Sequence, residues 1–209
     1  MDRRLYRRVH VGLDGAFIVR ENKPGFREFS GTIENISEGS HLVRICANLD
    51  GALGIGIDIA KEGILAAARF YREQIWCVGD LANSPYQEAS FDVILNFLSP
   101  ANYEEFKRLL KPGGKVIKVV PQENYLKQLR QQAFADSEKE TYSNEQTVQR
   151  FKEQFTQVTV ERVTYTMPLA KELVPKLLEM TPMGWHIENP STIELNEITI
   201  DLDILIGEI

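Results

Sequence analysis

Between Gly54 and Val120 four apolar segments follow one another, and the first two each stop at an acid. Gly54-Ile-Gly-Ile-Asp-Ile59 reads as a strand ending at Asp58, and Val78-Gly-Asp-Leu81 as a second ending at Asp80. Phe91 to Pro100 is a third, closing in Asn96-Phe-Leu-Ser-Pro100, and Leu109-Leu-Lys-Pro-Gly-Gly114 turns a helix into a fourth, Lys115 to Val120. Lys61 to Tyr71 carries Ile64, Leu65, Ala68 and Tyr71 at helical spacing between the first pair of strands. Tyr103 to Leu110, halted by Pro112 and Gly113, is a short helix between the second pair. Strands alternating with helical patterns predict βαβ units and a parallel sheet. Ligands of such sheets sit outside the carboxyl ends of the strands, so Asp58 and Asp80 are placed to hold a nucleoside.

The flanking segments extend this pattern. Ser40 to Leu49 has Leu42, Val43, Ile45 and Leu49 at helical spacing, so the strand ending at Asp58 lies between two helices. Asn124 to Phe134 and Gln146 to Phe155 read as helices, separated by an exposed connection from Asp136 to Asn144. Thr156 to Thr166 and Ile198 to Ile206 alternate as strands, the second through Ile200, Leu202, Ile204 and Ile206. Paired antiparallel at a sheet edge, these two complete a mostly parallel, seven-stranded α/β architecture. Residues 1–30 fit this scheme least and are expected to form a basic arm or helix, broken by Pro24-Gly25, ahead of one domain over 31–209.

Charge and cysteine content narrow the function. The formal net charge is -6, although residues 1–30 hold seven Lys or Arg against four Asp or Glu. Bulk electrostatics therefore do not make this a nucleic-acid binder, and any RNA contact is local. Cys46 and Cys77 have neither metal-ligand spacing nor a disulfide framework, so no metal is expected and a reducing cytoplasm suits the chain. No apolar run approaches ~18 residues and no signal peptide is apparent, so neither membrane insertion nor secretion is expected.

The order of these segments is that of a class I S-adenosylmethionine-dependent methyltransferase, a Rossmann-like fold, and the residues at the strand ends suit its cofactor. A carboxylate at Asp58, followed by Ile59, can accept from both ribose hydroxyls; the alternative is a cap for the helix starting at Lys61. Asp80 can accept from the adenine amino group while Leu81 covers the ring, or can cap the loop from Ala82 to Pro85. The methionine end normally rests on a glycine-rich turn, where a side chain would block the backbone's approach. Here that turn is Thr32 to Gly39, ending in Ser37, Glu38 and Gly39, with one glycine. Asn96, Ser99 and Pro100 end the third strand beside the point of methyl transfer. They do not form the Asn-Pro-Pro-Tyr loop of exocyclic-amine methyltransferases, which favours a ring nitrogen or another acceptor. Met180-Thr-Pro-Met-Gly-Trp-His186 could offer Met180, Thr181, Pro182 and the Trp185 ring to a flipped base, or belong to the core. No residue is singled out as a catalytic acid or base, since the activated sulfonium needs above all an acceptor held in line with its methyl carbon.

From Glu38 onward the chain resembles the bacterial 23S ribosomal RNA guanine-N1 methyltransferases of the RlmA type, particularly their Gram-positive branch. The resemblance rests on Glu38-Gly-Ser-His41, Gly56 to Lys61, Trp76 to Ala82, Leu98 to Tyr103 and Val116 to Leu126, and on Tyr142-Ser-Asn144, Leu178 to Pro182 with Trp185, and Ile198 to Gly207. It implies S-adenosylmethionine as cofactor, 23S rRNA as partner, a guanine near Trp185, and a cofactor contact at Tyr125, with Phe17 in the place of the family's aromatic ahead of the domain. Two departures stand against the family pattern. The four-cysteine zinc module that opens these proteins is missing, and of the first motif, Asp-x-Gly-Cys-Gly-Glu-Gly, only Glu38 and Gly39 remain. A truncated or frame-disrupted gene would leave this pattern, and a homodimer would compensate for the missing module. The alternatives are a non-catalytic methyltransferase-like protein and a small-molecule methyltransferase.

Overall fold

The computed structural model describes residues 13–19, 29–33, 54–72, 74–134, 142–181, 183–184, 187 and 189–209. The chain divides into two compact units, Met1–Gly79 and Asp80–Ile209.

In the first unit, β1 (Leu13–Val19) pairs antiparallel with β2 (Phe29–Ile33). Within the expected arm or helix of residues 1–30, Leu13–Val19 is extended. The segment is rich in residues that favour extended backbone, Phe17-Ile-Val19, and Pro24-Gly25 lies between the two strands. β2 runs into the expected turn from Thr32 to Gly39, and its partner among the described residues is β1. The boundary expected at residue 30 runs through β2. The helix read over 40–49 lies outside the described residues.

β3 (Ile55–Asp58), α1 (Lys61–Phe70) and β4 (Ile75–Val78) form the expected parallel βαβ unit, in register from Ile55 opposite Ile75 to Asp58 opposite Val78. Helix α1 buries Gly63, Ile64 and Ala67, whereas Leu65 and Ala68, also read as apolar-face positions, are exposed. Gly56 is required by packing: a Cβ there would lie 2.2 Å from the ring of Trp76, whose Nε1 donates to Tyr71 O at 2.9 Å.

The second unit is built on a four-stranded sheet formed by β5 (Phe91–Phe97), β6 (Leu110–Pro121), β7 (Thr156–Pro168) and β8 (Glu197–Glu208), in the order β5-β6-β8-β7. β5 and β6 are parallel, and β8 runs antiparallel to both β6 and β7, so the C-terminal pair lies at the sheet edge as read. Among the described residues the strands pair as sheets of two, two and four, and the expected single seven-stranded sheet is not delineated.

Helix α2 (Tyr103–Leu109) joins β5 to β6. Asn102 Oδ1 caps it, accepting from the Glu105 amide at 3.2 Å. Gly113, at φ 76°, makes the turn inside the β6 segment that the Pro-Gly-Gly sequence predicts. Helices α3 (Lys127–Ala133) and α4 (Glu145–Gln154) follow, and α5 (Val174–Met180) precedes β8. One core joins Phe106, Leu110, Val116, Val120, Phe151, Phe155 and Leu205. Tyr103 lies edge-on to Phe106, Phe151 and Phe155. It therefore ties α2 to α4 over one face of the sheet.

β8 departs from its alternating pattern. Both of its faces are buried, so Asp201 and Asp203 are enclosed along with Leu202 and Ile204. Asn144 is buried as well, where the polar 136–144 stretch predicts an exposed connection; its Nδ2 donates to Asp203 Oδ2 at 2.9 Å, fastening the start of α4 to β8. Among the described residues no helix is long and apolar enough to cross a membrane.

Candidate functional site

At the carboxyl end of β3, Asp58 is half-buried and its Oδ1 accepts from the Ala60 amide at 2.7 Å. Ala60 is the N-cap of α1 and receives no side-chain cap, so Asp58 braces the turn before the helix rather than capping it. Among the described residues its Oδ2 receives no hydrogen bond. Ile59 beside it is 76% exposed, an apolar surface next to a carboxylate with acceptor capacity to spare. That pairing of groups fits the ribose and ring of a nucleoside. In the second unit, Asp80 is exposed and its Oδ1 accepts from the Ala82 amide at 2.8 Å, a turn-bracing bond like that of Asp58. Leu81 is half-buried. Ser37, Glu38 and Gly39 lie outside the described residues.

Within the second unit the end of β5 is held by several hydrogen bonds. Asn96 and Lys118 stand opposite one another in the parallel β5–β6 register, and both are buried. Lys118 Nζ donates to Asn96 Oδ1, and also to Ser99 O at 2.8 Å. Asn96 Nδ2 donates to Pro100 O at 3.1 Å, and the Leu98 amide to Val119 O at 3.0 Å. Leu98 is held at φ 46°, in the left-handed region that a residue with a Cβ enters only at a cost. Burial brings the Lys118 amine down to about 8. Ser99 is half-buried and Pro100 exposed. Asn96, Ser99 and Pro100 are thus brought together as read, around a lysine that the sequence reading missed.

Beyond the end of β6, the segment Gln122 to Tyr125 is clamped to β8. Asp201 accepts from Arg162 Nε and Nη2 at 2.8 Å each and from the Asn124 amide at 3.0 Å. Burial opposes ionisation of Asp201, but these bonds outweigh it and hold the carboxyl below its usual range. Asp203 Oδ2 accepts from Gln122 Nε2 at 2.6 Å, and the Gln122 amide donates to Asp201 O at 2.8 Å. Tyr125 follows directly; burial, then the neighbouring Tyr165, push its hydroxyl up to about 12, so it stays protonated and able to donate. Its carbonyl accepts from Arg130 Nη2 at 3.1 Å.

Of the residues read as facing the acceptor at the C-terminal side, Met180 ends α5, and Thr181 turns its Oγ1 back to Leu177 O at 3.0 Å. The Gly184 amide donates to Thr181 O at 2.9 Å. A Cβ on Gly184 would lie 2.0 Å from Leu178 O, so only glycine fits this return of the chain. Pro182 and Trp185 lie outside the described residues.

Residues 38–118 match the family model described as a methyltransferase domain. That match begins at Glu38, where the retained part of the first motif begins, and ends at Lys118. The class is therefore a methyltransferase, with the class I fold and S-adenosylmethionine as methyl donor. The Bacillus subtilis (strain 168) protein named "Putative 23S rRNA (guanine-N(1)-)-methyltransferase YxjB" is 40% identical over 200 residues, covering 92% of this chain and 71% of that protein. The Streptomyces fradiae 23S rRNA (guanine(748)-N(1))-methyltransferase is 27% identical over 149 residues, covering 71% of this chain and 53% of its own length. Among solved structures, the YcgJ protein of Bacillus subtilis aligns over 74% of this chain and 81% of its own, at 16% identity and a TM-score of 0.49. The chain belongs to the 23S rRNA guanine-N1 methyltransferase family.

Proposed function

We propose that the protein transfers the methyl group of S-adenosylmethionine to N1 of a guanine in 23S rRNA, in the cytoplasm. The observation that carries this reading is the 40% identity with YxjB over nearly the whole chain. It is supported by the loop that ends β5: Asn96, Ser99 and Pro100 lack the paired prolines and aromatic of exocyclic-amine enzymes, and a ring nitrogen suits such a loop better.

In this reading the donor brings an activated methyl group, and the chain's own residues orient it and the acceptor. Asp58 accepts from the ribose hydroxyls with Ile59 against the nucleoside, and Asp80 accepts from the adenine amino group with Leu81 against the ring. Tyr125 and Asn96 are further cofactor contacts in this reading, and Ser37, Glu38 and Gly39 receive its methionine end. Ser99, Pro100, Met180, Thr181 and Pro182 line the acceptor, and Trp185 stacks on the guanine, an interaction worth ~1–3 kcal/mol per base. Contacts with rRNA are local, consistent with the net charge of -6. The domain over 31–209 carries the activity, and a second copy of the chain extends the RNA-contacting surface.

The test is methylation of 23S rRNA from a strain lacking this modification, with nucleoside mass spectrometry of the product. Accumulation of 1-methylguanosine at one site is the expected result. Tight binding of S-adenosylhomocysteine with no methylated nucleoside would point instead to a small-molecule acceptor, and absence of both would indicate a non-catalytic relative.

A further inference from the structure

Lys118 has no explanation in stability. It occupies the face of β6 that also carries Val116 and Val120, and both valines belong to the buried core with Leu205 and Phe151. A charge placed there must be desolvated, and an apolar residue of similar length would hold the core at least as well. What the ammonium group does instead is local. It spans from the strand to the Ser99 carbonyl and to Asn96, and Asn96 in turn holds the Pro100 carbonyl. The carbonyls of Ser99 and Pro100 both accept these bonds, and Leu98, directly ahead of them, has the left-handed conformation. Among the described residues, every partner of Lys118 is neutral, so no ion pair accounts for the lysine either.

We infer that Lys118 is a positioning residue for methyl transfer: acting through Asn96 and the Ser99 carbonyl, it fixes the 98–100 loop in the one conformation that presents the acceptor in line with the methyl group. The inference rests on the proposed methyltransferase reading. A loop freed from this clamp relaxes out of the left-handed Leu98 conformation and moves Ser99 and Pro100. Displacements of about 1 Å in a positioning element cost on the order of a hundredfold in rate. The loss falls on the rate at saturating acceptor, because the clamp does not itself touch the RNA.

The experiment compares the full-length protein with Lys118→Met and Lys118→Arg. Amide exchange over residues 97–103 reads loop order on the protein alone, and steady-state methylation of 23S rRNA reads kcat and KM separately. Lys118→Met should melt at or above the parent's temperature, exchange faster at Leu98, and lose roughly ten- to hundredfold in kcat with KM little changed. Lys118→Arg, which keeps donors for both acceptors, should recover part of the rate. Unchanged exchange at Leu98, or faster exchange with an unchanged kcat, overturns the inference. Should Lys118→Met fail to fold, the lysine is structural and the inference falls unless Lys118→Arg, folded, separates kcat from KM in the same way. A parent that methylates no rRNA fails at the level of the proposed function, and is told apart by its own zero rate.

Discussion

Arg162 grips Asp201 with two parallel hydrogen bonds, Nε to Oδ1 and Nη2 to Oδ2, each 2.8 Å long, joining edge strand β7 to β8. Asp201 is fully buried while the arginine side chain is 44% exposed. The charge that cannot do without its partner is therefore the carboxylate. Arg162→Met should lower the stability of the sheet, because it leaves a buried carboxylate without its counter-charge. Adding Asp201→Leu should recover only part of this, since the Asn124 amide then loses its acceptor. Urea unfolding of the parent and the two variants measures both steps; an unchanged midpoint in the single variant would show that the pair is not essential to the sheet edge.

Glu105 gives the protein an acid-sensitive joint. Its Oε1 accepts from the Ser84 amide at 2.9 Å, from Ser84 Oγ at 2.6 Å and from Arg108 Nη2 at 2.6 Å. These bonds, that of Arg108 foremost, bring its carboxyl down to about 2. A depressed folded-state value means stability that is complete above the unfolded carboxyl range and lost as pH falls toward 2. Glu105→Gln should therefore cost ~1.5–3 kcal/mol near neutrality, with the gap from the parent closing between about pH 4.5 and 2. Melting curves across that range decide it, and a gap constant with pH would mean that Glu105 acts through shape rather than charge.

Lys118 has the opposite sign and the opposite window. Its folded-state amine titrates at about 8, below the ordinary lysine value, because burial penalises the charged form. Between that value and about 10.4 the unfolded chain binds the proton that the native state has released, so native stability rises with pH. Measured against Lys118→Met, the parent should gain about 2–3 kcal/mol from pH 7 to 10.5. A difference that stays flat over this range would place the ammonium group in water.

Asp58 is expected to anchor the cofactor. Its Oδ1 is committed to the Ala60 amide, leaving Oδ2 to accept from ribose. A charged acceptor contributes about 1.5–3 kcal/mol, so Asp58→Ala should weaken S-adenosylhomocysteine binding by about one to two powers of ten. Calorimetric titration beside a melting curve separates this from local unfolding. An unchanged Kd would remove Asp58 from the site.

Much of the fold is legible because its signals are local. Asp58, Asp80 and the Pro112-Gly113 turn each close an apolar run, and the alternation of 156–166 and 198–206 announces the last two strands. What the pattern hides is the second face of β8. Alternation assigns Asp201 and Asp203 to solvent, but Arg162, Gln122 and Asn144, distant in sequence, close over them and supply their hydrogen bonds. Lys118 is obscured by its charge: a lysine reads as solvent-facing, although the two-residue period sets it on the face of the buried Val116 and Val120. The hairpin at 13–19 and 29–33 escapes because its basic flanks outweigh a short β-prone segment. For the acceptor side, the Leu98 conformation has no residue signature, since leucine gives no hint of a left-handed backbone.

The position of β8 between β6 and β7 bears on how the protein is made. Glu208 pairs with Lys115 on one side and Thr156 on the other, so the strand that fills the middle of the sheet is synthesised after both of its neighbours. During translation β6 therefore leaves the ribosome with one ladder edge vacant and waits some ninety residues for its partner, a long-range closure of the kind that folds slowly and exposes apolar edges to aggregation. Premature termination within the last dozen residues therefore takes away the middle strand of the sheet rather than trimming an end.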